Sequence, residues 1–107
     1  MEKITTENWS TIQQLDEPYV IFVHTPFCAT CQLAEKMLYV LEETDNQLSF
    51  YRMDASYFPS FMEDQAITSV PALLLVEKNQ VQKRLYAFES VPKVYETLTN
   101  WKQIQSI

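Results

Sequence analysis

Glycine is absent from this chain of 107 residues. Average usage of about 7% would give about seven glycines in a protein of this length. Turns that need a positive φ must therefore use other residues, and asparagine tolerates that region better than most. We expect Asn46 and Asn79 to occupy such turns.

The chain also lacks long apolar runs and an excess of positive charge. No stretch approaches the ~20 apolar residues of a membrane span, and the first eight residues hold no apolar signal core. The eight Lys and Arg are scattered among fourteen Asp and Glu, which gives a net charge of -6 and disfavours phosphate backbones as partners. We expect a cytoplasmic protein with neither a membrane nor a nucleic-acid partner.

Length and composition indicate one compact unit. A chain of 107 residues has room for one core, and its hydrophobic content of 47% excludes disorder. We therefore expect a single domain spanning residues 1–107 and a monomer.

The chain has two cysteines, Cys28 and Cys31. They follow the apolar run at 19–23 and open a stretch with helical periodicity, and a CxxC at a strand-to-helix junction is typical of a redox site. Backbone N–H groups and the helix dipole stabilise a thiolate at the first cysteine. In a reducing cytosol such a pair favours a catalytic or metal-binding role over a structural disulfide.

Hydrophobic periodicity predicts the order βαβαβαββα. The predicted strands and helices, in chain order, are Met1–Thr5, Thr6–Leu15, Tyr19–Val23, Cys28–Thr44, Leu48–Met53, Ser56–Ile67, Ala72–Val76, Val81–Phe88 and a last helix capped by Ser90. The first helix should bury Trp9, Ile12 and Leu15, and the last should bury Val91, Val94, Tyr95, Leu98 and Trp101.

The dipeptide Val70-Pro71 is a second motif, and it supports the interpretation of the CxxC as a redox site. Val70-Pro71 stands directly before an apolar run, forty residues after Cys31. With the CxxC and the element order, this pattern resembles the thioredoxin superfamily over essentially the whole chain. The resemblance implies an α/β thioredoxin fold with a central mixed sheet flanked by helices. It also implies that Cys28 attacks a substrate disulfide, that Cys31 resolves the mixed disulfide, and that a cis Pro71 lets the Val70 backbone pair with the substrate.

Departures from the family pattern surround the two cysteines. Phe27 replaces the family's Trp, and Ala29-Thr30 replaces Gly-Pro between the cysteines. Thr30 either donates a hydrogen bond to a thiolate or is an ordinary first-turn residue. With Phe27, Ala29 and Val70, Phe88 is expected to line an apolar groove for an extended peptide.

The family's buried acid and its accompanying lysine are also missing, because Phe22 and Phe50 align with them. The apparatus that removes the proton of Cys31 is therefore absent or replaced by water. His24, the single histidine, lies four residues before Cys28. It either assists the dithiol by proton transfer or packs at the strand end without a chemical role.

The sequence predicts a thiol–disulfide oxidoreductase that reduces protein disulfides. Its partners would be disulfide-containing proteins and an electron donor, either a reductase or a low-molecular-weight thiol. We expect no cofactor and no metal, because a closed zinc site needs four ligands and the chain offers two Cys and one His. The alternative is a thioredoxin-fold interaction module with a vestigial dithiol.

Overall fold

The computed structural model describes residues 1–105, with side chains as far as Lys102. Five strands form one sheet in the spatial order β1-β3-β2-β4-β5. β2 is parallel to β3 and antiparallel to β4, and β4 forms a hairpin with β5. The strands are β1 (Glu2–Lys3), β2 (Tyr19–His24), β3 (Tyr51–Asp54), β4 (Ala72–Glu77) and β5 (Gln80–Leu85).

Four α-helices and one 3-10 turn connect or follow these strands. They are α1 (Trp9–Gln13), α2 (Ala29–Thr44), the 3-10 turn Ala55–Tyr57, α3 (Pro59–Asp64) and α4 (Val91–Gln105). The predicted element order and the thioredoxin fold are confirmed. The expectation of a single domain over 1–107 stays a prediction, and residues 106 and 107 lie outside the described part.

Side chains of the central strands pack on both faces of the sheet, because successive residues of a strand point to opposite sides. On one face, Phe22 packs in a cluster with residues of α2 and α4, including Cys31 and Leu98. On the other face, Ile21 and Val23 pack with residues that include Ile12 of α1. The uninterrupted apolar pattern of β2 and β4 results from this two-sided burial.

Two predicted core residues are exposed instead. Leu15 is 39% exposed because α1 ends at Gln13, so that Leu15 lies in the turn beyond the helix. Tyr95 is 43% exposed. The buried line of α4 runs through Val94, Leu98 and Trp101, and a residue adjacent to Val94 is rotated about 100° away from that line.

Positive φ angles occur at non-glycine residues. Lys78 and Asn79 have φ of 52° and 67° and form the two-residue turn between β4 and β5, where hairpins favour two positive φ angles. Ala66 has φ of 54° after α3, and the Ile67 N–H donates to the Met62 carbonyl at 2.8 Å, as in a Schellman motif. The prediction for Asn79 is confirmed. That for Asn46 is wrong, because the turn after α2 is made without a positive φ there.

Within residues 1–105, no helix combines the length and the apolar character that crossing a membrane requires.

Candidate active site

One edge of the sheet brings the two sequence motifs together. β2 ends at His24, so the segment that carries Cys28 begins at this edge. β4 runs antiparallel to β2 and starts with Ala72 opposite Val23, so Val70-Pro71 precedes β4 at the same edge. Antiparallel pairing therefore juxtaposes two segments that are far apart in the chain.

Cys28 is the N-cap residue of α2. Its sulfur accepts a hydrogen bond from the backbone N–H of Cys31 at 3.1 Å and lies 3.4 Å from the Thr30 hydroxyl oxygen. The hydrogen bond with the Cys31 thiol, then that with Thr30, lowers the pKa of Cys28 below its ordinary value. Each of these donors favours the thiolate over the thiol.

Cys31 has the opposite environment. It is 3% exposed and belongs to the core cluster that includes Phe22 and Ala34. Burial, followed by the hydrogen bond with Cys28, raises the pKa of Cys31 to about 11. The two cysteines are unbonded thiols in this structure. The site thus combines an accessible thiol that ionises readily with a buried thiol that does not, which is the arrangement that stepwise thiol–disulfide exchange needs.

The residues around Cys28 are open to solvent. Phe27 has a fully exposed side chain and φ of 60°, an unusual conformation for a bulky residue. Ala29 and Thr30 are also exposed. An exposed aromatic ring therefore lies directly before the nucleophile candidate in the chain.

The peptide bond between Val70 and Pro71 is cis. Val70 is half-buried and packs against both core clusters. Phe88, which was expected to line the groove, is also half-buried, and its ring meets that of Phe22 edge-on at 6.1 Å. Phe88 thus contributes to the core beneath the site.

Phe22, the residue that the resemblance aligns with the family's buried acid, packs in the core with Cys31. It is 1% exposed and shares the core cluster with Cys31 and Phe50. The ring of His24 stacks on Phe22, with the ring centres 5.5 Å apart. Burial, followed by the charge of Arg52, lowers the pKa of His24 against the opposing effect of Asp54 and Glu35, so the imidazole is neutral at pH 7.

An ion pair beside Cys31 was missed in the sequence. Arg52 Nη1 lies 3.0 Å from Glu35 Oε1, and the Cα atoms of Arg52 and Phe22 are partners in the β2–β3 register. Glu35 follows Cys31 by one helical turn, a spacing that could have suggested it. Nothing in the sequence indicated that Arg52 would lie opposite Glu35.

Among the described residues, no cluster of three or more His, Cys, Asp or Glu could hold a metal ion.

The fold and the dithiol define a protein of the thioredoxin class, and comparison with known proteins agrees. The profile of the family named Thioredoxin matches residues 1–100. The thioredoxin-like protein YusE of Bacillus subtilis (strain 168) is 42% identical over 83 residues, which cover 78% of each protein. This chain belongs to the thioredoxin family.

Two solved structures share the fold. Mitochondrial thioredoxin 3 from Saccharomyces cerevisiae, in its oxidized form, matches with a TM-score of 0.72 and 20% identity over 94% of each chain. A chain from a structural study of thiol resolution in a yeast mitochondrial 1-Cys peroxiredoxin via glutathione/thioredoxin systems matches with a TM-score of 0.74. It is 13% identical and also covers 94% of each chain. The family and the cysteine pair together support a thiol oxidoreductase-like role.

Proposed function

We propose that this protein is a thiol–disulfide oxidoreductase that reduces disulfides of other proteins. The observation that carries the proposal is the asymmetry of the dithiol. Cys28 accepts the Cys31 N–H at the start of α2 and has a lowered pKa, whereas Cys31 is buried and has a raised pKa. This contrast supports Cys28 as the proposed attacking thiol and Cys31 as the proposed resolving thiol.

The reaction has two exchange steps. In the first, the Cys28 thiolate attacks one sulfur of the substrate disulfide, the substrate bond breaks, and one substrate thiolate leaves. In the second, Cys31 loses its proton and attacks the Cys28 sulfur, which breaks the mixed disulfide and releases the other substrate thiolate. The Cys28–Cys31 disulfide remains. Two electrons pass to the substrate, and the two substrate thiolates take up protons from solvent, which balance the two protons that the Cys28 and Cys31 thiols lose.

The substrate segment is proposed to lie across Phe27, Ala29 and Thr30 and beside Val70-Pro71. The exposed ring of Phe27 offers apolar contact area next to the nucleophile. The Val70 backbone, at the sheet edge next to Cys28, would pair with an extended chain as an added strand does. The apolar groove residues and the net charge of -6 favour neutral or basic segments over acidic ones.

His24 is proposed to receive the proton of Cys31. The imidazole is neutral at pH 7 because its pKa is lowered by burial and by Arg52, so it has a free acceptor site. It stacks on Phe22, which packs in the same cluster as Cys31. A neutral imidazole is a better proton acceptor at this pH than a carboxylate in an ion pair.

The proposed setting is the cytosol. A disulfide-containing protein is the proposed substrate, a reductase or a low-molecular-weight thiol returns the electrons, and the protein acts as a monomer. The reducing setting and the need for an electron donor are supported by the free dithiol, which must be returned to its reduced form after each reaction.

Variants of the two cysteines test the proposal with insulin as the disulfide substrate and dithiothreitol as the electron source. Cys28→Ser should abolish the catalysed reduction. Pre-reduced Cys31→Ser, mixed with insulin after dithiothreitol has been removed, should accumulate a mixed disulfide that mass spectrometry detects. The His24→Gln variant, which retains both cysteines, should resolve the mixed disulfide between Cys28 and insulin more slowly. The formation of this mixed disulfide should not be slowed. Thr44→Ser, at the opposite end of α2, is the control and should match the wild-type protein. An active Cys28→Ser variant would refute the proposal.

The alternative function is an interaction module with a vestigial dithiol. The observation in its favour is that Phe22 and Phe50, which the resemblance aligns with the family's acid and lysine, are both buried apolar residues. In that case the wild-type protein would bind partners through the Phe27 surface, and Cys28→Ser would bind them equally well. Catalysed turnover of insulin by the wild-type protein excludes this alternative.

A further inference from the structure

The Glu35–Arg52 ion pair lies where it can control the second step of the reaction. Glu35 is on α2 one turn after Cys31, a spacing that puts the two Cβ atoms about 5–6 Å apart. Arg52 holds the carboxylate from β3 at 3.0 Å. Both side chains are about 30% exposed, at 31% for Arg52 and 28% for Glu35, so solvent screens the pair only in part.

Arg52 itself is held in place by the sheet. It is the register partner of Phe22 on the neighbouring strand, and its Nε is buried without a hydrogen-bond partner. The guanidinium contacts the Glu35 carboxylate through Nη1. An ion pair of this kind fixes the position of the carboxylate and keeps it ionised, because Arg stays charged at all accessible pH values.

We propose that Glu35 is a positioning residue that slows the resolving step, because its carboxylate is a fixed negative charge beside which Cys31 must ionise. This inference rests on the proposed function. Cys31 can attack the mixed disulfide only as a thiolate. A nearby negative charge opposes the formation of that thiolate, and the same charge contributes to the raised pKa of Cys31. The mixed disulfide between Cys28 and a substrate should therefore persist longer than it would without Glu35.

An ion-paired carboxylate is a poor proton acceptor, which argues against Glu35 as the base. Pairing with Arg52 stabilises the ionised form of the Glu35 carboxylate. Transfer of the Cys31 proton to that carboxylate is therefore unfavourable. The charged and titratable groups that act on Cys31 are Cys28, the N-cap of α2, and Glu35 of α2. Those that act on His24 of β2 are Lys3 of β1, Arg52 and Asp54 of β3, and the same Glu35. The described residues of β4 and α4 in this cluster are apolar.

The test is stopped-flow kinetics with dithiodipyridine, an uncharged disulfide whose two thiopyridone products report the two steps in order. Glu35→Gln keeps the shape and removes the charge. In Glu35→Gln we expect the rate of the second phase at pH 7 to rise about threefold or more, and the pH profile of that rate to move to lower pH. The rate of the first phase should change by less than about twofold. Arg52→Met, which leaves Glu35 without its counter-charge, should slow the second phase.

Glu43→Gln is the matched control, because Glu43 is exposed in the last turn of the same helix. It should leave both phases unchanged. A slower second phase in Glu35→Gln would overturn the inference in favour of Glu35 as proton acceptor, and an unchanged one would show that its charge does not act on Cys31.

A separate measurement distinguishes failure of the inference from failure of the proposed function. If the wild-type protein shows no second phase, the proposed function fails. The effect of Glu35 is then measured directly, by titrating Cys31 through its ¹³Cβ chemical shift in the Cys28→Ser background. Glu35→Gln should lower the titration midpoint of Cys31, and an unchanged midpoint would overturn the inference.

Discussion

At the scale of single residues, the difference between the two thiols comes from a few contacts. Cys28 has the backbone N–H of Cys31 at 3.1 Å and the Thr30 hydroxyl at 3.4 Å. Cys31 lacks comparable exposure because Phe22 and other apolar residues surround it. Hydrogen bonding to one sulfur and desolvation of the other therefore shift the two pKa values in opposite directions.

Thr30 offers a test of this balance. Thr30→Val removes the hydroxyl while it keeps the branched shape, so the Cys28 thiolate loses a donor and the pKa of Cys28 should rise. Since only the thiolate is alkylated, the rate with iodoacetamide at pH 7 should fall by about two- to fivefold. The midpoint of the pH profile of the alkylation rate should shift to higher pH in Thr30→Val. Thr30→Ser retains the hydroxyl and should behave like the wild-type protein; equal profiles for all three would show that the hydroxyl does not stabilise the thiolate.

The sequence predicted some site residues and not others. Cys28 and Cys31 were found by their spacing within one helical turn, and Val70-Pro71 by its place before an apolar run. The Glu35–Arg52 ion pair was missed, because it joins a helix to a strand and depends on the register of β3 against β2. The inward packing of Phe88 was missed for a similar reason, since it depends on contact with Phe22 across the fold.

At the scale of helices and strands, the lack of glycine places strained residues at turns. Ala66 adopts φ of 54° at the end of α3, where most helices with this ending have glycine. The element order was predictable because apolar periodicity distinguishes the segments that form strands from those that form helices. The ends of the elements were less predictable. α1 has five residues rather than the ten predicted, because residues 6–8 form a turn and the helix ends at Gln13.

Ala66→Gly should stabilise the protein. Glycine adopts a positive φ without the steric cost that alanine has, so the free energy of unfolding should rise by about 1 kcal/mol. Ser60→Gly, at an exposed helical position of α3, is the control and should lower it by about 0.5–1 kcal/mol. Urea unfolding monitored by circular dichroism measures both. A destabilised Ala66→Gly would mean that its backbone is not strained.

At the scale of the whole molecule, the sheet brings together the parts of the site. The end of β2 and the start of β4 meet at one edge, α2 begins there with Cys28 as its N-cap, and β3 supplies Arg52. The core beneath is apolar and closed, with Phe22 and Leu73 almost fully buried. A rigid support of this kind holds the half-buried thiol of Cys28 close to the buried thiol of Cys31.

The central claim is that Cys28 and Cys31 interconvert between dithiol and disulfide. The most direct test is the reduction potential of the pair, obtained by equilibrating the protein in graded thiol/disulfide buffers and counting alkylated thiols by mass. The account predicts a single two-electron transition between the fully reduced protein and an intramolecular Cys28–Cys31 disulfide, which is lost in either serine variant. A potential near about -270 mV would indicate a reducing thioredoxin, and one above about -200 mV an oxidising or glutaredoxin-like member. Failure to form the intramolecular disulfide at any buffer potential would contradict the account.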